Sequence, residues 1–203
     1  HGNGDAAIDD ILDAFEAAQE KHPREDARHI IVHSQMARED QLDRIADLRA
    51  IPSFFSLHTY YWGDRHRDIF MGPERAQRIS PARSAQDRGL HYTIHCDTPV
   101  VPMTPLLLVW AAVNRQTVNG ASLGPEQCIT PAQALRAVTI EGAYQSFEEE
   151  LKGSLEPGKL ADLVILSGNP LDDAGAIREL RVEETIVGGK TVYLAPSEET
   201  AAP

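Results

Sequence analysis

Apolar positions fall at helical spacing over residues 5–21, where Ile8, Ile11, Leu12 and Phe15 share one face behind Asp5, which reads as the N-cap. That pattern stops at His22 and Pro23. The run RHIIVHSQ at 28–35 is β-branched and continuous, which predicts a buried parallel strand with His33 at its C-terminal end. A helix over 38–49 follows, with Leu42, Ile45 and Leu48 on one face, and then an apolar strand over 51–57 ending at His58. The segment TYYWGDRHR at 59–67 reads as a connecting loop, and 73–89 as polar and helical in part. In HYTIHCDTPVVP at 91–102, Thr93, Ile94 and Cys96 predict a short strand that delivers Asp97 into a proline-bounded loop. Helices are expected over 105–118 and from Pro131, the latter capped by Thr130.

Strand ends near 33, 58 and 97 alternate with helical segments, and residues 1–5 look like the tail of an earlier strand. This alternation predicts an α/β fold with a parallel sheet whose loops, and whose site, lie on one side. The composition changes after about residue 150. GSLEPGKLADLVIL at 153–166 is a turn-rich entry to a strand, and 182–193 reads as a hairpin through Gly188 and Gly189. The expected division is an α/β unit over 1–150, a small β segment over 151–195 and a disordered tail over 196–203.

Charge narrows the partners. A net charge of −12 argues against nucleic-acid backbones and anionic membranes. The longest apolar run, near 106–113, is too short to cross a bilayer. Cys96 and Cys128 form no disulfide framework and lack metal-ribbon spacing. The chain opens on His1 with neither methionine nor a secretory leader, as a fragment or processed chain does, and a cytoplasmic location is favoured.

Three groups at strand ends could converge: His1, His33 and Asp97. Two imidazoles and a carboxylate suit zinc, or iron or manganese, and leave a position for an activated water. Asp97 could also act as the general base. Bland readings stand beside these: His1 as a tag remnant or frayed terminus, His33 as a hydrogen-bonded core histidine, Asp97 as a cap or loop anchor. Serine hydrolase chemistry is disfavoured because no Gly-x-Ser-x-Gly elbow is present. The aromatic stretch after His58 suits a substrate-facing wall, or equally a plug over the sheet with its charges paired.

The segments HGNGDAAI at 1–8, RHIIVHSQ at 28–35, SLHTYYWGDRH at 56–66, TIHCDTPV at 93–100 and the 153–166 tail together resemble the amidohydrolase superfamily, in particular the amidohydrolase-3 group that includes N-substituted formamide deformylases. The resemblance runs from residue 1 to about 194. It implies the C-terminal half of a distorted (β/α)8 metal-dependent hydrolase barrel, with part of a small β-sandwich. It implies that His1 and His33 are the fifth- and sixth-strand metal ligands, and that Asp97 is the eighth-strand aspartate that contacts the metal and shuttles a proton. It also implies that His58, Tyr61, Trp62 and His66 face the substrate. A full barrel takes about 250 residues, and the group's first-strand His-x-His and fourth-strand ligand have no counterpart here. The implied activity is therefore hydrolysis of an amide or N-formyl carbon–nitrogen bond with a divalent metal, zinc before iron or manganese, weak or absent in this chain alone. The implied partners are a small amide-type substrate and either the missing barrel half or a second copy. The group also includes regulators of exoenzyme production, so a non-catalytic regulatory or binding protein is the alternative. A third reading is a module whose apolar inner face binds another chain.

Overall fold

The computed structural model describes residues 1–196. Helix α1 (Asp5–Lys21) places Ile8 and Leu12 fully in the core, each worth roughly 1.5–3 kcal/mol of burial. Its entry residue is Gly4, so Asp5 is the first helical residue and not the N-cap; the Asp5 carboxylate accepts from the Ala6 N–H and pairs with Arg75. Strand β1 (Ile30–His33) ends at His33 as expected. Helix α2 (Glu39–Asp47) is shorter than the expected 38–49. Arg49 turns left-handed (φ +51°), which ends it. Along the solvent side, Asp9, Asp13 and Glu16 of α1 pair with Arg38 and Arg44 at α2, so part of the acidic charge is neutralised within the fold.

Strand β2 (Ile51–Phe54) stops earlier than its apolar run suggests, because residues 57–65 form helix α3 (Leu57–Arg65). His58 is thus in the first turn of a helix, not at a strand end, and the supposed loop at 59–67 is helical, passing into a π-helical turn at His66–Phe70. Aromatic and glycine content gives this stretch poor helix propensity. Packing overrides it: the Ser56 hydroxyl donates to the Leu108 carbonyl, the Tyr60 and Trp110 rings meet edge to face at 5.7 Å, and a Cβ at Gly63 would stand 2.8 Å from Thr117.

Two short helices, α4 (Pro73–Gln77) and α5 (Ala82–Asp87), lead to β3 (Thr93–Ile94). β1, β2 and β3 are parallel and adjacent in that order, and Gly2 bridges to His33 on the far side of β1 in the same direction. Helix α6 (Pro105–Asn114) stops short of the expected 118. Arg115 turns left-handed (φ +46°) and points its guanidinium inward, donating to the carbonyls of Gln77, Ile79, Ser80 and Leu123. Helix α7 (Pro131–Val138) starts at Thr130 as the sequence indicates, and α8 (Ile140–Gln145) follows.

A second sheet, antiparallel in the order β4 (Leu163–Leu166), β5 (Val182–Val187) and β6 (Lys190–Leu194), contains the expected hairpin. The segment between β4 and β5 is tied to α6: Trp110 donates to the Gly175 carbonyl, Asn114 to that of Ala174, and Ile177 is fully buried. Apart from Pro196, the expected disordered tail lies outside the described residues. No helix among the described residues is long and apolar enough to cross a membrane.

Candidate functional site

The parallel register brings Gly2, His33, Phe54 and Ile94 to one level. The residues leaving the sheet there therefore meet at one end, where parallel α/β sheets hold their chemistry. β-Branched Ile30, Ile31 and Val32 keep β1 extended, and the chain then breaks sharply. His33 (φ +74°), Ser34 (φ +44°) and Asp97 (φ +55°) are all left-handed. Non-glycine residues hold that conformation at roughly 1–2 kcal/mol each, and strain of this kind gathers at functional sites.

Around buried His33 stand four further imidazoles. His1 meets it edge to face with ring centroids 4.6 Å apart, His95 lies at 4.9 Å and His58 at 5.4 Å. His66 lies 5.8 Å beyond His58, and its Nε2 is 3.2 Å from the Gln35 side-chain amide. Phe55 forms the apolar floor, 4.6 Å from His58 and 5.4 Å from His95. Burial disfavours protonation of His33, His58, His66 and His95. It lowers the pKa of His33 and His66, and takes His58 down to about 3 and His95 to about 4. The rings of His33, His66 and His95 push His58 the same way, whereas the Asp97 carboxylate opposes the shift at His33 and His95. At neutral pH the His33, His58, His66 and His95 rings are neutral and offer lone pairs and N–H groups, not charge.

The sequence-predicted residues are thus brought together unevenly. His1, His33, His58 and His66 form one continuous cluster, and Asp97 lies close enough for its charge to act on it. Trp62 touches the cluster through His58 at 6.1 Å. Tyr61, its ring tilted 60° to that of Trp62 with centroids 5.6 Å apart, lines a cavity of about 380 Å³ together with Trp62, Asp64, Arg65 and Asn119. Sequence reasoning missed His95 and Gln35. The signal for His95 was available, because it stands two residues before Asp97 and shares its side of the extended chain. Gln35 follows a strand end with nothing in the sequence to single it out.

The family profile described as the amidohydrolase family matches residues 1–193. The chain belongs to that family. It is 35% identical to N-substituted formamide deformylase of Arthrobacter pascens over 95% of its own length and 36% of the relative's. It is 28% identical to the putative amidohydrolase YtcJ of Bacillus subtilis (strain 168), again over 95% of this chain and 36% of that one. The protein LONG AFTER FAR-RED 3 of Arabidopsis thaliana is 33% identical over 95% of this chain and 33% of its own. The chain therefore spans about a third of the length of these relatives. An uncharacterized metal-dependent hydrolase from Pyrococcus horikoshii OT3 superposes with a TM-score of 0.72 at 26% identity, covering 87% of this chain and 35% of that one. The fold is shared with an amidohydrolase from Thermotoga maritima MSB8 at a TM-score of 0.66 and 22% identity, over 92% of this chain and 41% of that one.

Family membership raises the question of whether these side chains suit a divalent metal. The donor types do: neutral imidazole nitrogens beside a carboxylate. Closure of a ligand sphere is another matter. Among the described residues no group of three or more His, Cys, Asp or Glu side chains is arranged to hold a metal ion. His33 Nδ1 is buried without a partner among the described residues, whereas a ligating imidazole normally holds an acceptor on its second nitrogen. His1 and His33 place two imidazoles side by side, and among the described residues they are not joined by a third side chain into a ligand set.

Proposed function

We propose that the chain is the C-terminal part of a metal-dependent amidohydrolase that hydrolyses an amide or N-formyl carbon–nitrogen bond. The observation that carries this reading is the His1–His33 pair at 4.6 Å, within reach of the Asp97 charge, at one end of a parallel sheet in a member of the amidohydrolase family. Residues 1–150 would be part of a (β/α)8 barrel and 151–195 part of its β-sandwich. His1, His33 and Asp97 would hold a divalent ion, zinc before iron or manganese. When bound, that ion supplies Lewis acidity and an activated water. Asp97 takes a proton from the attacking water and returns it to the leaving nitrogen, a role suited to a carboxylate whose backbone is fixed left-handed at the site. His58 and His66 orient the substrate from the first turn of α3 and the π-helical turn, while Trp62 and Tyr61 wall the approach.

The substrate is a small amide-type molecule, in keeping with similarity to a formamide deformylase. The remaining barrel strands, or a second copy of this chain, would complete the ligand sphere, so hydrolysis by this chain alone is expected to be slow. Equilibrium dialysis against Zn²⁺, Fe²⁺ and Mn²⁺ tests the reading, together with formate release from N-substituted formamides. Near-stoichiometric uptake, reduced at least tenfold by His33→Ala and by Asp97→Ala, is the expected result. Uptake unchanged in both variants, with no metal-dependent formate release, would sink the hydrolase reading in favour of a non-catalytic binding protein.

A further inference from the structure

The proposed ligands His1, His33 and Asp97 leave three imidazoles of the cluster to be explained. Gln35 accounts for one nitrogen of His66. Among the described residues the His58 and His95 side chains have no hydrogen-bonding partner, yet both rings are held in place. Each packs on Phe55, and each contacts the His33 ring, at 5.4 and 4.9 Å respectively. In each ring one nitrogen is enclosed without a partner: Nδ1 in His58 and Nε2 in His95. The opposite nitrogens, Nε2 of His58 and Nδ1 of His95, are outside that enclosed set.

A neutral imidazole carries its proton on one nitrogen only. A proton on the enclosed nitrogen would be a buried donor with no acceptor, at the full desolvation cost of that group. A proton on the outer nitrogen can meet water or a ligand. The two rings should therefore adopt opposite tautomers, Nε2–H in His58 and Nδ1–H in His95. Each would then carry its donor on the nitrogen that is not enclosed, on rings that both contact His33. Two fixed donors of this kind suit a single acceptor oxygen, and they suit it better as negative charge grows there.

We infer that His58 Nε2–H and His95 Nδ1–H form a donor pair that binds the acyl oxygen of a small formamide- or amide-type ligand. The class of ligand rests on the hydrolase reading, but the tautomers do not depend on it, nor on any metal. Imidazole ¹H–¹⁵N correlation spectra of the metal-free, ¹⁵N-labelled chain at pH 8 read both tautomers directly in the unmutated protein. His58 in the Nε2–H form and His95 in the Nδ1–H form are expected. Adding N-methylformamide should then shift those two nitrogens and leave the exposed rings of His22 and His91 unmoved. His58→Gln and His95→Asn keep an N–H donor near the same place and should retain the response. His58→Phe and His95→Leu should weaken it at least tenfold. The opposite tautomer in either ring, or a formamide response that survives both apolar substitutions, overturns the donor pair. Failure of metal uptake with the tautomers as stated would instead count against the hydrolase reading alone.

Discussion

Gly124 holds the chain in the left-handed region (φ +64°), and a Cβ there would stand 1.9 Å from the Gln77 carbonyl oxygen and 2.9 Å from the Arg115 guanidinium. Backbone cannot yield as a side chain can, so Gly124→Ala should cost about 3 kcal/mol or more. Urea unfolding measures this, and a loss below about 1 kcal/mol would show that the loop relaxes freely. The neighbouring Arg115 is buried with only carbonyl partners, and desolvation takes its pKa down to about 10. It remains charged at neutral pH. Its planar fork satisfies four carbonyls that no shorter or single-headed side chain could reach together. Neither residue touches the imidazole cluster, yet both hold the loop that Gly63 of α3 packs against, through Leu123.

At the scale of elements, α7 begins on a reciprocal cap in which the Thr130 hydroxyl accepts from the Gln133 N–H and the Gln133 side chain accepts from the Thr130 N–H. Pro131 at the first helical position removes a donor that would have had no partner. Thr130→Ala should cost about 1 kcal/mol, seen as a lower midpoint in thermal or urea unfolding, and Thr130→Ser should retain most of it. Equal losses in both variants would mean that the methyl, not the hydroxyl, matters. Helix α3 is the contrasting case. It carries His58 and Trp62 to the site with no side-chain cap, and it relies on contacts to α6 and the loop after it.

For the whole molecule, Arg28 joins the entry to β1 with α8 and the segment after it. Its guanidinium lies 3.7 Å from the Tyr144 ring centroid and 4.2 Å from that of Phe147, and it pairs with Glu149 at 2.8 Å. Removal should cost about 2 kcal/mol, since stacking and a half-buried ion pair vanish together. The Arg28 hydrogen bond holds the Glu149 carboxyl below its usual pKa. A depressed acid stabilises the fold above its unfolded pKa, and that contribution is lost as pH falls through the folded value. The stability gap between the unmodified chain and Arg28→Ala should therefore be widest near pH 7 and narrow below about pH 4.5. A gap that stays constant from pH 7 to pH 3 would assign the whole effect to stacking.

Much of this architecture is decided locally and so can be read from the chain. The apolar spacing of Ile8 and Leu12 makes α1, the run ending at His33 makes β1, and Thr130 with Pro131 starts α7, because period, β-branching and caps act within a few residues. Glycine pairing likewise marks the hairpin between β5 and β6. Three outcomes needed the tertiary structure. Residues 57–65 became a helix because packing against α6 outweighs their poor propensity. Helix α6 ended at Asn114 because Arg115 satisfies distant carbonyls only by leaving helical geometry. His58, His66 and His95 joined His1 and His33 because parallel register, a quantity set between strands and not along one, aligned Gly2, His33, Phe54 and Ile94. Which nitrogen of each ring is enclosed follows from that assembly alone, and no pattern along the chain encodes it.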